Sequence, residues 1–332
     1  MWRPLVQYRK VVGIGMSKNT VASAANPQIK KSFWKRLYDQ RYMMLLVIPG
    51  VIFLIVFYYF PLYGILLAFK DYNVGLGITG SPWAGLKYFK EIINDNLFFQ
   101  SLRNTFIFSI LNLVVGFPVP IIFALMLNEL FQAKLFKRVV QTVSYLPHFL
   151  SWAFVASFLN TFLSDRGTLN PLLVSLGLLD EPFGFLSNKW TFILVIIVSS
   201  VWKGFGYSSI IYLAAMTSVP QEMYEAALID GATRFQKIWY ITLPSIKPTI
   251  VVLLILSISG MINSNFEQFY LLQNPLISDI GKVLDVYTYE IGMTKARFSY
   301  ATAVGLFKSL VSFVLLVIAN TASRKITGES IY

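Results

Sequence analysis

The chain has 332 residues, of which 56% are hydrophobic and only 13% are charged. Soluble proteins carry about 25% charged residues, so this composition excludes an ordinary soluble protein and predicts an integral membrane protein. Cysteine is absent, histidine occurs once and the formal net charge is +12. These counts exclude disulfides, thiolate catalysis and Cys-ligated or multi-histidine metal sites, so we predict no metal site.

Six stretches of the chain are almost free of charged residues and are long enough to cross a bilayer. A helix needs roughly 20 apolar residues to cross the hydrocarbon core, and these stretches lack the alternation typical of barrel strands. We therefore predict an all-α integral membrane protein with six transmembrane helices. The predicted spans are residues 42–69, 104–127, 139–164, 190–215, 248–266 and 299–323. Pro118 and Pro120 are expected to kink the second span.

Lysine and arginine are concentrated in the loops that lie on the same side as the two termini. The positive-inside rule therefore predicts that both termini are cytoplasmic. The organisation expected is a basic cytoplasmic arm (residues 1–41), a membrane domain (42–323) and a short cytoplasmic tail (324–332). The positive charge is then a topology signal and a contact with anionic lipids, and no nucleic-acid partner is expected.

The basic arm lacks an apolar core long enough for a signal peptide, so the first span is expected to be an uncleaved anchor. Residues 30–41 mix basic and aromatic residues, which is typical of a helix on the lipid surface. Met16 is an alternative start of the chain.

The loop before the fifth span, residues 219–244, predicts two short helices separated by a turn. Pro220 suits the first position of a helix, and Gly231 can adopt the left-handed conformation that ends one. A second helix is expected from Thr233 until Pro244 breaks it.

This loop resembles the EAA loop of permease subunits of binding-protein-dependent ABC importers. The matching residues, at the spacing of that loop, are Glu225, Ala226, Ala227, Asp230, Gly231, Leu243 and Pro244. The resemblance implies the type I ABC importer permease fold, with the loop forming the coupling helices that dock on a cytoplasmic ATPase. It also implies a second permease subunit, two copies of an ATPase that binds ATP-Mg, and an extracytoplasmic solute-binding protein.

The chain carries no phosphate-binding loop of its own. Its single Gly-Lys pair, Gly281-Lys282, is followed by Val283 rather than by serine or threonine. We therefore expect a non-catalytic subunit that holds no cofactor and takes its energy from the partner ATPase.

Residues 144–152 (SYLPHFLSW), at the start of the third span, resemble the carbohydrate-uptake branch of these permeases. The likeness is greatest to permeases for alginate- or aldouronate-type oligosaccharides. It implies a saccharide substrate and, more narrowly, an acidic oligosaccharide.

Polar and aromatic residues in or near the predicted spans are candidates for the substrate path, because polarity in lipid is costly and usually functional. The candidates are Trp202, Lys203 and Tyr207 in the fourth span, and Asn263, Asn265, Glu267, Gln268 and Tyr270 towards the outer end of the fifth. Lys203 has a structural ion pair as its alternative role, and Glu267 could pair with Lys203 or Lys308. For Lys308 a structural partner is favoured, and for His148 a packing role.

A second class of protein fits part of the pattern. A secondary transporter of a small polar solute can also use intramembrane lysine and glutamate, and often shows repeated halves. No repeat is visible in this sequence, and a secondary transporter would leave the loop at 219–244 unexplained.

Overall fold

The structure, a computed structural model, describes residues 39–130, 133–328 and 330–331. Most of the basic arm, including the alternative start Met16 and most of the predicted surface helix, lies outside the described residues. The described part is mostly helical, with an isolated β-bridge between Lys70 and Trp83. The predicted all-α fold class is confirmed.

The segment at residues 219–244 is called the coupling loop after the role that the sequence predicts for it, and the main helices are numbered here in chain order. They are α1 (Arg41–Phe69), α2 (Lys87–Ile93), α3 (Asn96–Asn128), α4 (Lys134–Phe149), α5 (Trp152–Leu163), α6 (Lys189–Thr217), α7 (Gln221–Ile229), α8 (Arg234–Ile262), α9 (Phe266–Leu272), α10 (Leu284–Tyr289) and α11 (Phe298–Thr327). Among the described residues, five helices are long and apolar enough to cross a membrane, namely α1, α3, α6, α8 and α11. The bent pair α4–α5 makes six if it crosses as one span, in agreement with the predicted number.

The chain divides into two compact units, Met1–Pro61 and Leu62–Tyr332. In the first unit, the described residues form the first part of α1, an apolar helix that contains Pro49 and packs the ring of Phe53 against that of Phe57. The second unit contains the other helices and all of the candidate functional residues.

Helix α6 lies at the centre of the second unit and packs against α3, α4 and α8. One apolar cluster joins α3, α5, α6 and α9 through the T-shaped contacts of Phe108 with Phe192 and Phe269. A second joins α3, α6 and α8 around Tyr212 and Ile246. Both apolar clusters contain residues of α6, so the position of α6 determines how the surrounding helices pack.

A carboxylate network fixes the start of α3 against α10 and α11. Asp95 caps α3 by accepting the N–H groups of Leu97 (2.8 Å) and Phe98 (3.2 Å), and its other oxygen accepts the hydroxyls of Tyr287 (2.5 Å) and Tyr300 (2.8 Å). Burial alone would raise the pKa of the Asp95 carboxyl, but these four hydrogen bonds together hold it below its usual value.

The third span differs from the prediction of one helix over residues 139–164. Helices α4 and α5 meet at an angle of 91°. Pro147 cannot donate a backbone hydrogen bond, and the Oγ of Ser151 accepts the N–H of Phe154 (3.2 Å) and so begins a new helix. The carbonyl of His148, freed by the break, accepts a hydrogen bond from the Lys203 ammonium at 2.7 Å. A broken helix is tolerated at membrane depth only when its freed backbone groups are satisfied in this way.

The fifth span also differs from its predicted bounds of 248–266. Pro244 does not end the helix: it follows a π-helical turn at Ile238–Thr242, and α8 continues from the coupling loop to Ile262. The chain then turns through residues 263–265 into the separate helix α9. The polar cluster at 263–270 therefore lies beyond the span rather than in it.

Candidate functional site

The coupling loop folds as two helices that meet at a left-handed glycine. Helix α7 begins after Pro220, one residue later than predicted, and ends at Ile229. Gly231 has φ +73°, its N–H donates to the Leu228 carbonyl (3.1 Å), and the next N–H bonds to the Ala227 carbonyl (2.8 Å). This is the helix ending expected for Gly231.

The start of α8 is fixed by a capping box and by a contact with α7. The Thr233 N–H donates to the side-chain oxygen of Gln236 (2.7 Å), while the Gln236 N–H donates to the Thr233 hydroxyl (3.4 Å). The hydroxyl of Tyr224, on α7, shares a 2.9 Å hydrogen bond with the buried hydroxyl of Thr242 on α8. This bond was not anticipated from the sequence, since no local pattern pairs residues 18 positions apart. It ties α7 to α8.

The coupling loop exposes apolar side chains that no other described residue covers. Leu228 is 66% exposed and Ile229 is 86% exposed at the end of α7. The aromatic side chains of Phe235, Trp239 and Tyr240 are exposed on the first turns of α8. Glu225, Ala226 and Asp230 are also exposed, Ala227 and Leu243 are half-buried, and Pro244 is exposed. Exposed apolar area next to an acidic helix is typical of a protein-binding surface.

A polar cavity of about 360 Å³ lies between α3, α6 and α8. Its lining serines and asparagines, which we call the cavity residues, are Ser109, Asn112, Ser200, Ser208, Ser257 and Asn263. A smaller cavity of about 70 Å³ adjoins it and shares Ser109, Asn112, Ser200 and Asn263, with Ser264, Asn265 and Gln268 added. None of the described residues that line either cavity is charged.

Three side-chain amides that line these cavities have no hydrogen-bond partner in the part of the chain that the structure describes. They belong to Asn112, Asn263 and Asn265. Asn112 lies in a π-helical turn ahead of Pro118, and Gly116 makes room for it, because a Cβ on Gly116 would lie 2.6 Å from the Asn112 amide oxygen. An amide offers both donors and an acceptor, which is what a sugar hydroxyl needs.

The structure does not bring the three predicted α6 residues to this cavity. Lys203 donates to the His148 carbonyl and lies 5.5 Å from the ring of Trp152. Tyr207 stacks on His148 with ring centroids 4.0 Å apart. Trp202 instead faces an apolar groove formed with α5. Lys203 and Tyr207 thus hold the bend of the third span, and His148 has the packing role expected for it.

The five residues after α8 that were predicted for the substrate path do not lie together at one site. Asn263 lines both cavities and Asn265 the smaller one. Gln268 also lines the smaller cavity but is buried and donates to the Ile196 carbonyl (2.8 Å) and the Ser199 hydroxyl (3.0 Å), so its amide nitrogen is already used. Glu267 and Tyr270 are exposed on α9.

The cavity serines and Asn112 were not predicted. A single serine or asparagine in an apolar helix is common and carries no local signal, because only the packing of α3, α6 and α8 places them together. Lys308 has the structural partner that was favoured for it, but that partner is Asp285 rather than Glu267.

Comparison with known proteins assigns the chain to a family. Residues 116–328 match the family described as "Binding-protein-dependent transport system inner membrane component". The chain is 44% identical to the polygalacturonan/rhamnogalacturonan transport system permease protein YteP of Bacillus subtilis, and 43% identical to Protein LplB of the same organism. Each alignment covers 91% of this chain and 94% of the relative.

Two solved structures share the fold. One is the crystal structure of a bacterial ABC transporter that imports the acidic polysaccharide alginate, with a TM-score of 0.80 and 38% identity over 89% of this chain and 99% of that one. The other is a bacterial alginate ABC transporter in complex with an alginate pentasaccharide-bound periplasmic protein, with a TM-score of 0.80 and 37% identity over 90% and 99% of the two chains. The chain therefore belongs to the inner-membrane components of binding-protein-dependent transport systems and is a non-catalytic, multi-pass permease subunit of a sugar ABC importer.

Proposed function

We propose that this permease imports an acidic oligosaccharide, delivered by an extracytoplasmic binding protein. A second permease subunit and two copies of an ATPase would complete the importer. Two similar proteins support the acidic class: one is named for polygalacturonan, a polymer of uronates, and the other imports the acidic polysaccharide alginate.

The observation that carries the proposal is the chemistry of the cavity residues. They offer amides and hydroxyls but no ionised side chain. Such groups bind sugar hydroxyls and carboxylates through hydrogen bonds without the strong attraction of an opposite charge. A transport path needs binding that is favourable enough for entry and weak enough for release, and an uncharged lining meets both needs for a charged sugar.

The chain connects the coupling loop directly to two walls of the cavity. Helix α6 ends at Thr217, α7 follows within a few residues, and α8 begins at Arg234. A displacement of α7 by a moving ATPase would therefore act on α6 through the chain and on α8 through the Tyr224–Thr242 hydrogen bond. Glu225, Ala226, Ala227, Asp230 and Gly231 would contact the ATPase, with Leu243 and Pro244 at the base of the loop. An ion-coupled carrier, the alternative from the sequence, is excluded by membership of the ABC importer family.

The proposed orientation places the coupling loop in the cytoplasm and the loop before α6 outside. Because the chain has no cysteine, a single cysteine can report the side of the membrane. An impermeant thiol reagent added to intact cells should label Glu181→Cys and leave Arg234→Cys unlabelled. Glu181 is preferred to Asn188 of the same loop because Asn188 caps α6. Reversed labelling of the two positions would contradict the orientation and the coupling role.

The acidic class is tested by the stimulation of ATP hydrolysis in the reconstituted complex. A binding protein loaded with an oligogalacturonide should stimulate the ATPase, whereas the same oligosaccharide with its carboxyls methyl-esterified should not. The two sugars share length and linkage and differ in charge. Equal stimulation by the ester, or by a neutral oligosaccharide of that length, would contradict an acidic substrate.

A matched pair of variants separates the role of the permease from that of the binding protein. Ser208→Leu places a bulky apolar side chain in the cavity and should lower transport and stimulated ATP hydrolysis. Ser309→Leu makes the same change at an exposed position of α11 outside the cavity and should leave both near wild type. If the two variants were equally active, the cavity would not be part of the substrate path.

A further inference from the structure

A single carboxylate joins the turn at the end of α8 to the last span. Asp285, on α10, forms an ion pair with Lys308 on α11. Its other oxygen accepts both the N–H and the hydroxyl of Ser264, each at 2.8 Å. The turn at residues 263–265, which we call the outer turn, is thereby held to two other helices by one side chain.

The pair is mostly buried, with 13% of the Lys308 side chain and 21% of the Asp285 side chain exposed. Removing two charges from water is costly, and apolar residues of similar volume are often as stable or more so. A charged pair at this depth is therefore poorly explained by packing alone. Its geometry indicates a role in holding the outer turn.

The residues of the outer turn line the cavities, so holding the turn in place also affects the cavities. Asn263 lines both cavities, and Ser264 and Asn265 line the smaller one. A shift of the turn would move the free amides of Asn263 and Asn265 and change the wall between the cavities and the outside. The neighbouring segment is held separately, since the Ser109 hydroxyl donates to the Met261 carbonyl (2.5 Å).

We infer that Asp285 is a positioning residue which keeps the outer turn closed over the polar cavity in the resting importer, with Lys308 supplying its counter-charge. The inference rests on the proposed function for the identity of the cavity as the substrate path. Asp285 and Lys308 do not contact the sugar; they set whether the cavity is accessible from outside.

The test measures outside access to a thiol placed in the cavity. Ser200 lines both cavities, and Ser200→Cys would be the only thiol in this subunit. The rate at which an impermeant thiol reagent labels it is measured in intact cells that express the complete importer, without added sugar. Assembly is followed in parallel by co-purification with the ATPase.

Two charge-neutral double variants isolate the hydrogen bonds to Ser264. Lys308→Met with Asp285→Asn keeps an acceptor for Ser264, and labelling should stay within about twofold of the parent. Lys308→Met with Asp285→Leu removes the acceptor of the partly buried Ser264 N–H, so labelling should rise by about tenfold. Equal rates in the two double variants would overturn the inference.

A milder variant and a control complete the design. If the double variant with Asp285→Leu fails to assemble, Ser264→Ala is used in its place. This variant removes only one of the two hydrogen bonds from Ser264 to Asp285, so labelling should rise about threefold. Unchanged labelling in Ser264→Ala would then overturn the inference. Glu181→Cys should label equally in every background. If it does not label from outside, the orientation is wrong, and the same comparison is then made in inverted vesicles.

Failure of the substrate proposal has a different signature. Labelling of Ser200→Cys requires no sugar, so a neutral substrate would leave the predicted difference between the two double variants intact. The role of Asp285 and the acidic class of substrate are thus decided by separate measurements.

Discussion

Gly206→Ala is expected to prevent stable assembly of the importer. Gly206 is buried on α6, and a Cβ there would lie 2.0 Å from the carbonyl oxygen of Ser144 and 2.8 Å from the nitrogen of Tyr145 on α4. These neighbours are backbone atoms, which cannot rotate away as a side chain can. Helices α4 and α6 would have to move apart by at least about 1 Å to relieve the overlap.

The separation would also damage the bend of the third span. Lys203 and Tyr207 hold His148 from the same face of α6, so a displaced α4 would lose its hydrogen bond to Lys203 and its stacking on Tyr207. Overpacking typically costs about 1–3 kcal/mol and occasionally more, and we expect the upper end of that range here. Small residues at helix contacts in membranes serve this kind of close approach.

The measurement for Gly206 is thermal denaturation and co-purification of the complex. Gly305→Ala is the matched control, because Gly305 also lies within a span and a Cβ there meets nothing within 4 Å. Gly305→Ala should assemble normally. If Gly206→Ala had the same thermal midpoint as Gly305→Ala, the described contact between α4 and α6 would be wrong.

Gly231→Val should insert and fold but lose coupling to the ATPase. A Cβ at Gly231 meets nothing within 4 Å, so the obstacle is the backbone conformation, φ +73°, rather than space. The left-handed conformation costs an ordinary residue about 1–2 kcal/mol, and a β-branched residue more. The turn would then favour another conformation, which would redirect α7 and with it Glu225.

Two controls separate this local effect from general damage. Gly231→Asn should retain much of the activity, because asparagine tolerates the left-handed conformation. Gly177→Val makes the same change at a glycine with φ +68° and open space in the loop before α6, far along the chain from the coupling loop. We expect loss of ATPase co-purification and of transport for Gly231→Val alone. If Gly231→Val retained full transport, the conformation of this turn would not be needed for coupling.

The sequence by itself determined the features that depend on local composition and spacing. Uninterrupted apolar runs indicated the approximate place of the spans, because a helix that crosses lipid needs a long stretch of apolar residues. The coupling loop was visible because its signals lie within a few residues of one another. Gly231 in particular needs only its own backbone to end α7, and the structure gives it the expected positive φ.

The bend of the third span was decided by tertiary structure. Pro147 and Ser151 permit a break, but apolar residues on both sides read as one continuous helix. The break is stable because Lys203, 55 residues along the chain, reaches the freed carbonyl of His148. No local pattern reports a partner at that separation.

The same limit applies to the polar groups of the membrane domain. From the sequence, Lys203, Glu267 and Lys308 had several possible partners, and the structure pairs Lys308 with Asp285 instead. The cavity residues come from α3, α6 and α8 together with the outer turn, and each alone is an unremarkable polar side chain in an apolar context. Local spacing determines which segments become helices, whereas the close packing of those helices determines which of their polar groups meet and therefore where a polar cavity forms.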